Sequence, residues 1–125
     1  MLGDKTVVAT IAVKDMEAAK DFYEDILGLT KSGDDPGGIL YKSGDSNIFV
    51  YKSDFAGTNQ ATAASWGVGN DIEAIVKELE AKGITFETYD MLGMTREGAI
   101  HVMGDLKSAW FKDPDGNILN IVSKM

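Results

Sequence analysis

The sequence contains no cysteine and a single histidine, His101. Without cysteine there is no disulfide framework, no thiolate nucleophile and no zinc site built from thiolates. Lysine and arginine together number 12 against 20 acidic residues, and the resulting net charge of -8 repels nucleic-acid phosphates and anionic membrane surfaces. We therefore expect neither a nucleic-acid partner nor a membrane partner.

Long apolar runs are also lacking. No stretch is long enough to span a bilayer, and the N-terminus has no basic segment followed by an apolar one. These features predict a cytoplasmic protein. At 125 residues, the length predicts one domain, 1–125, whose core is large enough to be stable without metal or disulfide.

Two helices are predicted by the same arrangement of residues. Asp15 is the expected N-cap of the first, apolar residues follow at helical spacing, and Gly28 ends it. Asp71 and Gly83 are the corresponding residues of the second helix. A strand-like run precedes each helix, and alternating segments separated by turns follow it.

The order strand, helix and three strands therefore occurs twice, as an internal repeat. The strand-like runs before the helices lie at residues 6–13 and 62–69, and the later hairpin of the first half recurs near the C-terminus. The sequence predicts an α+β fold of duplicated βαβββ modules. Module 1 spans about residues 1–56 and module 2 about residues 57–125.

The second module is longer because of a glycine- and methionine-rich segment, residues 91–105. Two interpretations stay open for it: a surface loop, or a flap over a pocket. The segment contains His101 and Arg96, the only arginine. Either side chain would contact a ligand if the segment is a flap, whereas a structural histidine and a surface ion pair are the ordinary alternatives.

The duplicated module, the helix sequence "FYEDILGL" and the C-terminal "FKDPDGN" together resemble the vicinal oxygen chelate superfamily. That superfamily includes glyoxalase I, extradiol dioxygenases, fosfomycin-resistance enzymes and bleomycin-resistance binding proteins. The resemblance implies two modules, often from two subunits of a homodimer, whose strands form a cup-shaped mixed sheet. In the metal enzymes of the family, four ligands lie inside this cup, on the first and last strand of each module.

The resemblance assigns these four ligand positions to Val8, Val50, Ala64 and Asn120. Only Asn120 carries a metal-binding atom, and a lone amide oxygen is a weak ligand for a transition metal. A shift of one residue offers only further residues without an imidazole, thiolate or carboxylate: Val7, Ala9, Ala63, Ser65, Leu119 and Ile121. We therefore expect no metal and no other cofactor.

Alternation along the strands predicts which side chains line the cup. Aromatic walls, two polar groups and small residues would form a pocket for a small-molecule ligand. The predicted ligand-binding residues are Thr10, Tyr41, Val50, Ala64, Trp66, His101, Phe111 and Asn120. The alternative is an ordinary packed core, in which Asn120 only satisfies a backbone group.

Two functions are consistent with these features. The first is a metal-independent protein that binds a small aromatic or amphipathic molecule in the cup, as in bleomycin-resistance-like sequestration or sensing. The alternative is a glyoxalase- or isomerase-type lyase acting on a small carbonyl compound. Binding is favoured because the family's reaction depends on a metal, and no catalytic residue is assigned.

Overall fold

The computed structural model describes residues 1–124, except for the side chain of Asp35, so the predicted end of module 2 at residue 125 lies just outside it. The helical elements are α1 (Met16–Lys20), a π-helix (Asp21–Ile26), a 3-10 turn (Gly69–Asp71) and α2 (Ile72–Ala81). The strands are β1 (Ala9–Val13), β2 (Thr30–Asp35), β3 (Gly38–Ser43), β4 (Ser46–Lys52), β5 (Thr62–Gly67), β6 (Thr95–Glu97), β7 (Ile100–Met103), β8 (Leu106–Lys112) and β9 (Ile118–Val122).

The strands form two mixed sheets, which confirms the predicted α+β fold class. The first sheet has the order β1-β4-β3-β2 and the second the order β5-β9-β8-β7-β6. In each sheet the strand before the helix pairs in parallel with the last strand, and the other pairs are antiparallel. Neither helix in the described part of the chain is long and apolar enough to cross a membrane.

One face of each sheet packs into a single shared core. Ile11 and Val50 from the first sheet and Phe111 and Leu119 from the second are buried in the same cluster. Phe22 of the π-helix joins the two halves, since its ring lies 6.3 Å from that of Phe111. We call the opposite faces of the two sheets the first and second outer faces.

Both helices begin and end where the sequence predicts. The Oδ1 atom of Asp15 accepts hydrogen bonds from the backbone N–H groups of Glu17 and Ala18, and Gly28 follows the helix with a φ of 75°. Asp71 precedes α2 but makes no side-chain capping bond. The 3-10 turn before α2 already continues the helical path, which removes the need for that cap.

The "DPDGN" motif does more than form a turn. The buried carboxylate of Asp113 accepts hydrogen bonds from the backbone N–H groups of Asp115 and Asn117, from Asn117 Nδ2 and from the hydroxyl of Tyr23. Asn117 Nδ2 also donates to the carbonyl oxygen of Ala12 at 2.7 Å. Because Tyr23 and Ala12 belong to the first module, this turn connects the two modules.

Residues 91–105 form regular structure rather than only a surface loop. β6 and β7 pair antiparallel within this segment and extend the second sheet. Arg96 lies directly opposite His101 in this pair, and it is exposed with its Nε atom 3.9 Å from Asp90 Oδ1. The sheet thus determines the position of His101, because β7 also pairs with β8.

Candidate ligand-binding site

The predicted ligand-binding residues do not share one face, so the predicted orientation of several is wrong. Tyr41, Val50 and Phe111 are buried in the shared core, with at most 1% of each exposed. Ala64 and Trp66 are partly buried against the same core. The other three, Thr10, His101 and Asn120, lie on the outer faces.

For Asn120, the difference arises from the lengths of the two hairpin loops. Ser43 pairs with Ser46, which leaves a two-residue loop, whereas Lys112 pairs with Ile118, which leaves a five-residue loop. Side chains alternate along a strand, so an odd difference in loop length reverses the faces of the strands that follow. In β5, a register shift between Thr62 and Ala64 reverses the alternation in the same way.

An aromatic pair on the second outer face forms the wall of an open hollow of about 610 Å³. The rings of Trp110 and Tyr89 meet edge to face, with their centroids 5.4 Å apart. The indole Nε1 of Trp110 donates to Thr62 Oγ1 at 3.2 Å, which fixes the plane of the ring. Ile118 and Met91 add apolar surface to the hollow, so it offers a flat ligand both stacking and a polar edge.

His101 contacts both members of this aromatic pair. Only 1% of the residue is exposed, and its Nε2 atom accepts a hydrogen bond from the backbone N–H of Tyr89 at 2.9 Å. Its ring meets that of Trp110 edge to face at 5.0 Å. Because Nε2 accepts, the proton of the neutral ring lies on Nδ1, and Nδ1 is buried without a partner among the described residues.

Asn120 lies opposite Trp110 in the β8–β9 pair. Its Nδ2 atom donates to the backbone oxygens of Ala109 and Ile121, at 3.2 and 3.3 Å. The alternative interpretation, that this amide satisfies backbone groups, is therefore confirmed for its nitrogen. In the described part of the chain, no group donates to its Oδ1 atom, which leaves an acceptor on the second outer face.

The first outer face carries a second aromatic pair that the sequence reasoning missed. Phe49 and Tyr51 lie two residues apart on β4, with nearly parallel rings whose centroids are 6.2 Å apart. Thr10 pairs with Phe49 in the sheet and is exposed, and its hydroxyl donates to the carbonyl oxygen of Val8 at 3.3 Å. The available signal was the alternation along β4, since Phe49 and Tyr51 must face away from the side that carries Ile48 and Val50.

Comparison with known families agrees with this architecture. Residues 5–121 match the model of the Glyoxalase/Bleomycin resistance protein/Dioxygenase superfamily. The chain belongs to this superfamily. The matched region covers almost all of the sequence, so the resemblance to the vicinal oxygen chelate proteins is confirmed. No curated protein sequence matches the chain significantly.

Solved structures of the superfamily share the fold at low sequence identity. A glyoxalase family protein from Enterococcus faecalis aligns with a TM-score of 0.74 at 19% identity, covering 98% of this chain and 99% of that one. The fosfomycin resistance protein FosX from Listeria monocytogenes, complexed with Mn(II) and sulfate, has a TM-score of 0.74 at 13% identity, with 98% and 91% covered. A lactoylglutathione lyase from Agrobacterium tumefaciens has a TM-score of 0.69 at 17% identity, with 94% and 92% covered.

The residues that the resemblance assigned to metal-ligand positions carry few atoms that bind a transition metal. Val50 and Ala64 face the shared core, and their neighbours Phe49 and Ser65 take the outer faces instead. Neither set supplies an imidazole, thiolate or carboxylate, and Asn120 adds only an amide. Within residues 1–124, no three His, Cys, Asp or Glu side chains cluster closely enough to hold a metal ion.

Proposed function

We propose that this superfamily member is a metal-independent binding protein for a small, flat aromatic or amphipathic molecule. The ligand stacks on Trp110 and Tyr89 at the second outer face, in a role of sequestration or sensing similar to that of bleomycin-resistance proteins. The observation that supports this most directly is the edge-to-face aromatic pair above an open hollow. Aromatic faces with a few polar groups are typical of small-molecule sites.

The polar groups around the hollow suit hydrogen bonding rather than catalysis. Thr62 and Gln60 lie at its edge, and the only carboxylate among the described lining residues belongs to the highly exposed Asp90. The single imidazole, on His101, is buried and its Nε2 atom already accepts a hydrogen bond. A lyase acting on a carbonyl compound needs a group that moves a proton and a group that stabilises the resulting negative charge, and this set offers neither directly.

We also propose that the protein is a cytoplasmic homodimer. Several large apolar side chains are strongly exposed in the single chain, among them Val7 at 86%, Phe55 at 78% and Leu92 at 101%. Exposed apolar surface of this kind is typical of association surfaces. A second copy that packs against the outer faces would cover the Phe49–Tyr51 pair and enclose the hollow, while the absence of cysteine suits a reducing compartment.

The binding proposal is tested in a Trp66→Phe background, in which Trp110 is the only tryptophan. Titration with 2-naphthol or bleomycin should quench Trp110 emission with saturation. By calorimetry, Trp110→Ala should weaken binding by about 1 to 3 kcal/mol, the range for loss of an aromatic stacking partner. Lys77→Ala is the control, since this residue is exposed on α2 and does not line the hollow.

Unchanged affinity in Trp110→Ala would exclude this face as the ligand site. Sustained production of lactoylglutathione from glutathione and methylglyoxal would instead support the lyase alternative. The assay should be repeated with added Zn²⁺, Mn²⁺ and Ni²⁺, because metal-dependent turnover would contradict metal independence.

A further inference from the structure

A separate cavity of about 260 Å³ lies on the core side of the second sheet, between the two modules. Its lining is mostly apolar and includes Trp66, Ile75, Leu79 and Phe111. None of its lining residues belongs to the hollow at Trp110. An apolar cavity of ~150 Å³ holds one benzene ring, so this one has room for two fused rings.

Trp66 presents a fixed aromatic surface to this cavity. Its Nε1 atom donates to the hydroxyl oxygen of Ser43 at 2.9 Å, which links β5 to β3 of the other module. Ser43 also lines the cavity. Its own hydroxyl proton has no acceptor among the described residues, so this O–H is free to donate to a ligand.

Lys82 supplies a positive charge at the same cavity. Its ammonium group lies 3.4 Å from the carbonyl oxygen of Asp25 and 3.3 Å from that of Ile26, both long contacts. The nearest carboxylate oxygen, of Glu78, is 3.9 Å away. Glu78 also lines the cavity, but its carboxylate is 69% exposed and forms only this long ion pair with Lys82, so Lys82 and Ser43 are the two hydrogen-bond donors that face a ligand.

The end of the π-helix forms another part of the wall. Ile26 closes this helix, and Leu27, Gly28 and Leu29 follow it along the cavity. The backbone N–H of Leu29 reaches back to the carbonyl oxygen of Tyr23, so the chain leaves the helix in a wide turn. π-Helical turns are rare and occur frequently at functional sites.

We propose that this cavity between the modules binds a planar aromatic carboxylate of one or two rings. The rings stack on Trp66 between the apolar side chains, and the carboxylate accepts hydrogen bonds from Lys82 and Ser43. This site is independent of the proposed ligand at Trp110. The two tryptophans lie one at each site, so each reports on its own ligand.

The test uses the Trp110→Phe protein, in which Trp66 is the only tryptophan, and 2-naphthoate as the probe. We expect saturable, one-to-one binding that changes Trp66 emission and is also seen by calorimetry. Lys82→Met should raise the Kd for 2-naphthoate about tenfold, the effect of losing one charge-assisted hydrogen bond. The Kd for the neutral analogue 2-naphthamide should be the same in Trp110→Phe protein with and without the Lys82→Met substitution.

Lys77→Met is the control for charge, because Lys77 is exposed on the same helix and does not line the cavity. Ile75→Phe, which adds a ring inside the cavity, should abolish binding of both probes. The proposal is overturned if 2-naphthoate does not bind or if Lys82→Met and Lys77→Met behave alike. It is also overturned if the probe changes Trp110 emission in Trp66→Phe protein but leaves Trp66 emission unchanged in Trp110→Phe protein. The Lys82 comparison stays decisive if Ile75→Phe does not fold, since Lys82 is at the surface.

Discussion

Replacing Tyr23 by phenylalanine removes a single hydroxyl from the contact that joins the two modules. Tyr23 is fully buried, and its hydroxyl donates to Asp113 Oδ2 at 2.8 Å. Only 4% of Asp113 is exposed, and no cation contacts it among the described residues. Its charge is therefore stabilised by neutral donors alone, of which the Tyr23 hydroxyl is one of four.

A hydrogen bond to a charged group contributes about 1.5 to 3 kcal/mol to stability, and Asp113 Oδ2 keeps only the bond from Asn117 Nδ2 once the Tyr23 hydroxyl is removed. We therefore expect Tyr23→Phe to lower the free energy of unfolding by about 2 to 3 kcal/mol. Tyr41→Phe is the matched control, since the Tyr41 hydroxyl donates to Glu24 Oε2 at 2.7 Å. Glu24 is only half-buried, so water can replace the lost donor and the cost should stay near 1 kcal/mol or below.

Urea unfolding at pH 7 measures both variants, and an unchanged m-value shows that the comparison concerns stability alone. A double-mutant cycle with Asp113→Asn isolates the pair, and we expect a coupling energy of about 1 kcal/mol or more. Equal losses in Tyr23→Phe and Tyr41→Phe, or a coupling energy near zero, would refute the view that the Asp113 network holds the modules together.

Two further predictions concern alkaline stability and association. Burial raises the pKa of both tyrosines far above the ordinary value, helped by Asp113 at Tyr23 and by Glu24 at Tyr41. The folded protein therefore keeps protons that the unfolded chain loses. Its free energy of unfolding should be constant up to about pH 10 and should fall above it by about 1.4 kcal/mol per pH unit for each tyrosine. Urea unfolding from pH 9 to 11.5 should show this slope, about halved in Tyr23→Phe, and a flat profile would contradict it. For the homodimer, light scattering should give twice the mass of one chain, and Phe49→Lys should shift the protein to monomer; a monomeric wild type would exclude the dimer.

Most of the fold is predictable because its signals are local. A carboxylate before an amphipathic run and a glycine after it define the first helix, and Asp15 and Gly28 behave as expected. The repeated order of elements then fixes two mixed sheets. What the sequence does not reveal is the π-helix that follows α1, because a π-turn depends on how the helix packs and not on its apolar spacing.

The site is less predictable because it depends on the parity of side chains along strands. The sequence reasoning matched Val50 with Asn120 through the repeat, but these residues face opposite sides of their sheets. Loop length decides on which face the side chains of the next strand lie, and the sequence of a polar turn does not indicate how many residues lie outside the strand pairing. The hollow is also lined by Tyr89, which lies between α2 and β6 and outside the strands. The alternation of side chains along strands therefore does not predict its position.

The Asp113 side chain in the five-residue loop between β8 and β9 affects both the connection of the modules and the position of Trp110. Asp113 lies inside that loop, where its carboxylate accepts the N–H groups of Asp115 and Asn117 and so sets the loop's length. Trp110 and Phe111 are adjacent on the strand before it, so only one of the two rings can face the core. The β8–β9 register places Phe111 beside Leu119 in the core and Trp110 beside Asn120 on the outer face. The turn that connects the modules thus also places the indole of Trp110 at the proposed ligand site.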